Sequence, residues 1–135
     1  VIYLLDTNAL SDLVREQPTL VARLASHTSP DQVVTCTIAL GEILHGIRRL
    51  PVSRRRMALE TKSAGVLKDC RCEPVPATAA EHYASIKSEL QRVGLPLDEN
   101  DLWIAATALA LGASIVTRDR HFQRVPGLTV EDWSS

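Results

Sequence analysis

The chain has 135 residues, 45% of them hydrophobic, and a formal net charge of −1. That length allows one compact domain with a real core and excludes two ordinary ones. The near-neutral balance excludes polyanion binding through overall charge, so any nucleic-acid contact must rest on local patches. Aromatic residues, at 4%, are too sparse for a base-stacking platform.

No apolar run approaches the ~20 residues needed to cross a bilayer. The three cysteines, Cys36, Cys70 and Cys72, form an odd set without a signal peptide, as expected of reduced thiols in a cytoplasmic protein. Cys70-Arg71-Cys72 has no second Cys/His pair at finger-like spacing, which argues against zinc.

In chain order, Val1 to Leu5 is an apolar run that stops at Asp6. It reads as a buried parallel strand delivering Asp6 to its carboxyl end, where open α/β sheets place ligands. Asp6 could equally be the cap of the next helix, whose Leu10, Leu13 and Val14 are spaced three and four apart. Gln17-Pro18 ends that helix and opens another over Thr19 to Ser26, with Leu20, Val21 and Leu24 as its apolar face. Gln32 to Cys36 is short and β-branched, a second strand.

Thr37 is placed to cap a helix running to about Leu50, with Leu40, Ile43, Leu44 and Ile47 as one stripe. Glu42 lies nearly opposite that stripe, and a solvated surface position is its ordinary explanation. Another helix is expected between Leu50 and Asp69, opened by Arg48, Arg49, Arg54, Arg55 and Arg56. Such a run is either a solvated face or a track for phosphates or an acidic partner.

Arg71 to Pro76 is extended by proline restriction and has room for a short strand. A helix from about Thr78 to Val93 follows, with Ala80, Tyr83, Ala84 and Ile86 to Leu90 as expected contacts; Gly94 ends it. Leu102 to Leu111 is apolar nearly all round, which marks a buried central helix. Asp98 fits as its N-cap, and Asp101 at the third position suits the positive helix end. Ala113 to Thr117 is a strand followed at once by Asp119, and Leu128 to Val130 is a last strand.

Alternating strands and helices make this an α/β protein with a largely parallel sheet. Right-handed crossovers then bring all strand carboxyl ends to one edge. Asp6 and Asp119 fall there directly, and Glu42 and Asp101 lie on helices that leave the same edge. Four carboxylates facing one cleft repel unless cations lie between them. All-oxygen donors favour Mg²⁺ or Mn²⁺ over Zn²⁺, and such carboxylate-held ions serve phosphodiester hydrolysis.

The stretches Leu5-Asp6-Thr7-Asn8-Ala9-Leu10, Thr37 to Gly46, Asn100-Asp101-Leu102-Trp103-Ile104-Ala105-Ala106 and Val116 to Phe122 resemble the motifs of PIN-domain nucleases. The ending, Arg124 to Leu128 and Glu131-Asp132-Trp133, resembles the VapC toxins of type II toxin–antitoxin modules. The resemblance spans essentially the whole chain and implies a single PIN domain over residues 1–135, a PIN-like α/β/α sandwich with a five-stranded, largely parallel sheet. It further implies a Mg²⁺-dependent endoribonuclease acting on tRNA or other structured RNA and neutralised by a cognate VapB antitoxin. Homodimers, paired again in a higher assembly with antitoxin, are also implied.

By that resemblance Asp6, Glu42, Asp101 and Asp119 are the catalytic, metal-holding acids, and Thr7, Asn8 and Thr117 are the polar residues that support them. Asp98 rivals Asp101, and the fourth acid of the family sometimes comes a few residues beyond Asp119. The five arginines are candidate contacts to RNA or antitoxin.

Two other readings compete. A PIN-like module could bind RNA or protein without catalysis. A phosphoaspartate enzyme also puts Asp at a strand end, but it would want a second Asp where Asn8 stands, or a Lys after a late strand.

Overall fold

The computed structural model describes residues Val1–Ser135. Its five strands are β1 (Ile2–Leu5), β2 (Gln32–Cys36), β3 (Arg71–Glu73), β4 (Ala113–Val116) and β5 (Val130–Glu131). They form one sheet in the order β3-β2-β1-β4-β5, with every neighbouring pair parallel. Six helices flank it: α1 (Thr7–Val14), α2 (Pro18–Ser26), α3 (Thr37–Arg48), α4 (Arg54–Val66), α5 (Ala79–Arg92) and α6 (Glu99–Leu111). This is the expected α/β/α sandwich.

Strand β1 is central because its side chains are apolar on both faces, as a strand covered on both sides requires. Leu4 and Leu5 have no exposed surface, and their neighbours Val34, Ile115 and Val116 are equally buried. Each such side chain contributes roughly 1.5–3 kcal/mol of hydrophobic stabilisation relative to exposure. The order 3-2-1-4-5 reverses direction between β1 and β4, so the gap beyond their carboxyl ends is the switch point at which such sheets bind ligands.

Helix α6 is buried nearly all round, as its composition implies, through Leu102, Ile104, Ala105, Ala106, Thr107 and Ala108. Gly112 ends it with φ 66° in the left-handed region, so that β4 begins one residue later. The last strand comes later and is shorter than its composition suggests, Val130–Glu131 rather than Leu128 to Val130. A 3₁₀ turn at Arg120–Arg124 buries Phe122 first, and the chain reaches β4 only beyond Gly127. No helix is long and apolar enough to cross a membrane.

Several expected faces are rotated. Helix α5 turns Ala79, Ile86 and Leu90 inward, with Tyr83 half-buried, while Ala80 and Ala84 are exposed. Those inward positions are spaced four, three and four apart, one continuous stripe against α6. Val21 of α2 lies at the surface, leaving Leu20 as that helix's only fully buried residue. In α3 the buried ridge is Ala39, Ile43 and Ile47, with Leu40 and Leu44 only half-covered beside α4. That rotation brings Glu42 from the solvent side to the margin of the core.

Candidate active site

Asp6, Glu42, Asp101 and Asp119 all line one cleft of about 500 Å³. It opens at the carboxyl edge of the sheet, beside the β1–β4 switch point. The rival Asp98 is exposed and is not among the lining residues. Its side chain makes no capping hydrogen bond, although it stands at the expected N-cap position.

Asp6 lines the cleft at the end of β1 and also caps the next helix. Its Oδ1 accepts the Ala9 backbone N–H at 3.0 Å, capping α1. Its Oδ2 accepts the Thr117 hydroxyl at 2.5 Å, across the β1–β4 junction. Only 3% of the residue is exposed. Burial is the main reason its pKa is pushed up to about 7, with the negative charges of Asp101 and Asp119 adding to it and the two hydrogen bonds opposing. Burial likewise raises Asp101 to about 6, helped by Asp98, Asp119 and Glu42.

The supporting polar residues hold Asp6, Glu42 and Asp119 by hydrogen bonds. Thr7, at the start of α1, donates its hydroxyl to Glu42 Oε1 at 2.7 Å, tying α1 to α3. Thr117 Oγ1 accepts from Asn8 Nδ2 at 3.3 Å and from the Asp119 N–H at 2.9 Å while it donates to Asp6. The Asn8 carbonyl in turn accepts the Arg118 N–H. Asp119 caps the 3₁₀ turn through His121 N–H. His121 and His45 are both exposed, and neither lines the cleft.

Thr117 therefore uses its one hydrogen and both lone pairs. Thr117→Val keeps the shape but strips the buried Asp6 carboxylate of a donor and leaves the Asp119 N–H without that acceptor. We expect about 1–3 kcal/mol of lost stability in denaturant melts. Any activity that uses Asp6 should fall roughly 10–100-fold, the usual effect of losing a supporting partner. Thr117→Ser should restore most of both.

The donor chemistry suits a hard divalent cation: carboxylate oxygens, those of Asp6 buried and those of Asp101 half-buried, both raised in pKa chiefly by desolvation and further by their acidic neighbours. No three of the acids stand close enough together to form a closed ligand cluster. Mg²⁺ tolerates this, because it is commonly held by one or two carboxylates and keeps several waters. The cysteines offer no alternative nucleophile. Burial raises the Cys36 thiol and pushes Cys70 up to about 12, so both stay protonated.

Of the five arginines picked out in the sequence, only Arg49 lines the cleft. Arg56 closes the α3–α4 turn instead, bonding Glu60 and the Leu50 carbonyl. Arg48, Arg54 and Arg55 are exposed away from the acids. Two further arginines, Arg15 and Arg118, line the cleft and went unnoticed in the sequence. Arg118 forms a two-pronged ion pair with Asp12, 3.0 Å on each prong. Nothing local signals a pair 106 residues apart.

Residues 3–128 match the PIN domain family. The chain belongs to the PIN-domain family. Among curated PIN-domain relatives it is 32% identical to ribonuclease VapC1 of Haemophilus influenzae strain R2866, over 98% of each chain. It is 31% identical to the tRNA(fMet)-specific endonuclease VapC of Shigella flexneri, again over 98% of each. Among solved PIN-domain structures it resembles VapBC2 from Rickettsia felis bound to a promoter DNA fragment. There the TM-score is 0.90 at 27% identity, covering 98% of this chain and 99% of that one.

Proposed function

We propose that this protein is a VapC-type toxin, a metal-dependent endoribonuclease that hydrolyses RNA phosphodiester bonds and is inhibited by a cognate VapB antitoxin. The observation that carries the reading is the gathering of four carboxylates, from four separate segments, around one cleft at the switch point of a PIN fold. The curated relatives support it, being ribonucleases matched along nearly their whole length. Structured RNA such as tRNA is the proposed substrate class.

In this proposal Asp6, Asp101 and Asp119 hold the principal Mg²⁺, one or two of them directly and the rest through its retained waters, with Mn²⁺ as a substitute, and Glu42 completes the site. The cation supplies positive charge that acidifies water and offsets charge on the phosphate. Asp6 is fixed by Ala9 and Thr117, so that its carboxylate needs no reorganisation. Thr7 orients Glu42, and Asn8 orients Thr117. With the thiols protonated and no Ser/His/Asp arrangement, the nucleophile is water.

Purified protein, freed of antitoxin, tests this on total tRNA and total RNA. Cleavage with Mg²⁺ or Mn²⁺, absent in EDTA and suppressed by VapB, is expected. RNA left intact under every metal condition would instead favour a binding module that keeps the fold without turnover.

A further inference from the structure

The cleft that holds four carboxylates presents a problem for a polyanionic substrate, because a phosphate chain entering it meets negative charge. Its lining carries only three cations, Arg15, Arg49 and Arg118. Arg118 is already neutralised by Asp12. Arg15 and Arg49 make no ion pair; Arg15 reaches only Ser11 Oγ of its own helix, at 3.3 Å. Both are exposed and free to turn toward a ligand.

Their placement follows from the two helices that carry the acid end of the cleft. Helix α1 starts beside Asp6 with Thr7 and reaches its C-cap at Arg15. Helix α3 carries Glu42 and reaches its C-cap at Arg49. At 1.5 Å per residue, Arg15 lies about 12 Å along its helix from Thr7, and Arg49 about 10 Å from Glu42. The two arginines therefore leave their helices toward the end of the cleft away from the acids, placed for phosphates next to the one under attack. Helix C-termini also carry partial negative charge, so a phosphate there needs a fixed cation.

Between the two ends the lining is mostly apolar, with Ile43, Ile47 and Leu59, and its one polar side chain, Ser11, already accepts from Arg15. Such a floor offers few hydrogen bonds that distinguish one base from another.

Resting on the nuclease reading above, we infer that Arg15 and Arg49 are positioning residues that grip backbone phosphates flanking the cleaved bond and set the strand's register in the cleft. They act on the backbone, so their contribution is independent of base sequence. A guanidinium at a helix C-cap could merely complement the dipole, and the test must separate that from substrate contact.

The probe is a fluorescent single-stranded oligoribonucleotide in two unrelated sequences, bound in EDTA and cleaved with Mg²⁺ across a salt series. The Arg15→Gln/Arg49→Gln double variant should bind about tenfold more weakly near physiological salt. Its slope of log affinity against log salt should be shallower by about 1.4, roughly 0.7 per lost phosphate contact on a single strand. KM should rise correspondingly for both sequences, with kcat little changed. Arg15→Lys/Arg49→Lys should keep most of the slope, because charge alone releases counterions. Arg92→Gln, on α5 and paired with Glu89, should match the wild type.

A double Gln variant with wild-type slope and KM overturns the inference. So does one that handles RNA normally but escapes VapB inhibition, which would assign the arginines to the protein partner. If the slope falls in EDTA although the wild type cleaves nothing with metal, the arginines stand and the nuclease reading falls.

Discussion

Asp6→Asn should abolish metal-dependent RNA cleavage while leaving the fold nearly intact. The loss should exceed the roughly 10–100-fold that attends removal of a supporting partner, because Asp6 is proposed to hold the cation itself. Stability is a balance of two local effects. Asparagine removes a buried charge whose pKa is already raised, and Oδ1 can still cap α1 by accepting from Ala9. Its amide nitrogen then faces the Thr117 hydroxyl, whose lone pairs are taken by Asn8 and Asp119, so one hydrogen bond becomes a clash of donors.

A lost buried hydrogen bond costs about 1–3 kcal/mol, and removing the charge offsets much of that. Metal-free thermal melts of wild type and variant should therefore be within a few degrees of each other. Added Mg²⁺ should raise the wild-type Tm and leave the variant's nearly unchanged. A variant that is substantially unfolded would make Asp6 chiefly a structural cap.

The second large effect is a pH dependence of stability in metal-free protein. Asp6 and Asp101 titrate near 7 and 6 in the folded chain, against an ordinary value of 3.8. Between about pH 4 and pH 7 the folded state thus holds more protons than the unfolded state. Stability must fall as pH rises through that window. It is greatest below pH 4 as far as these two groups are concerned, and their contribution is gone above pH 7.

For Asp6 the difference is on the order of a few kcal/mol, since each pKa unit corresponds to 1.36 kcal/mol. Asp101 is only half-buried, and solvent screening makes its share smaller. Denaturant midpoints in EDTA between pH 5 and pH 8 should show the decline, and saturating Mg²⁺ should flatten it. In Asp6→Asn the decline should shrink to the part owed to Asp101. A metal-free protein that gains stability over the same range would mean that the acids are already compensated by the protein.

Much of this was legible in the chain. Strand β2 runs over the expected residues, and the all-round apolar composition of α6 does place it at the centre. Asp6 and Asp119 could be placed at strand ends because an apolar run that stops on an acid is a local pattern, written within a few residues. The same holds for Gly112, whose left-handed cap follows from its position after a helix.

Glu42 marks the limit of that kind of pattern. Its helical stripe could be counted from sequence, but the buried face of α3 is set by neighbouring helices on more than one side. The ridge turned to Ala39, Ile43 and Ile47, and Glu42 came to the cleft margin, where Thr7 bonds it. Sequence periodicity gives a helix's preferred face only to within the width of its apolar stripe.

By itself, then, the sequence determined the α/β alternation, the parallel sheet and the family, because each is carried by local apolar patterning or by contiguous motifs. Only the tertiary structure decided that Asp6 is cap and buried acid at once, that Thr117 joins Asp6 to Asn8 and Asp119, and that Arg118 is claimed by Asp12. It also decided that Arg15 and Arg49, at the ends of different helices, share one cleft. These are meetings between residues far apart in the chain, and no local pattern encodes them; they arise from how the helices pack around the sheet.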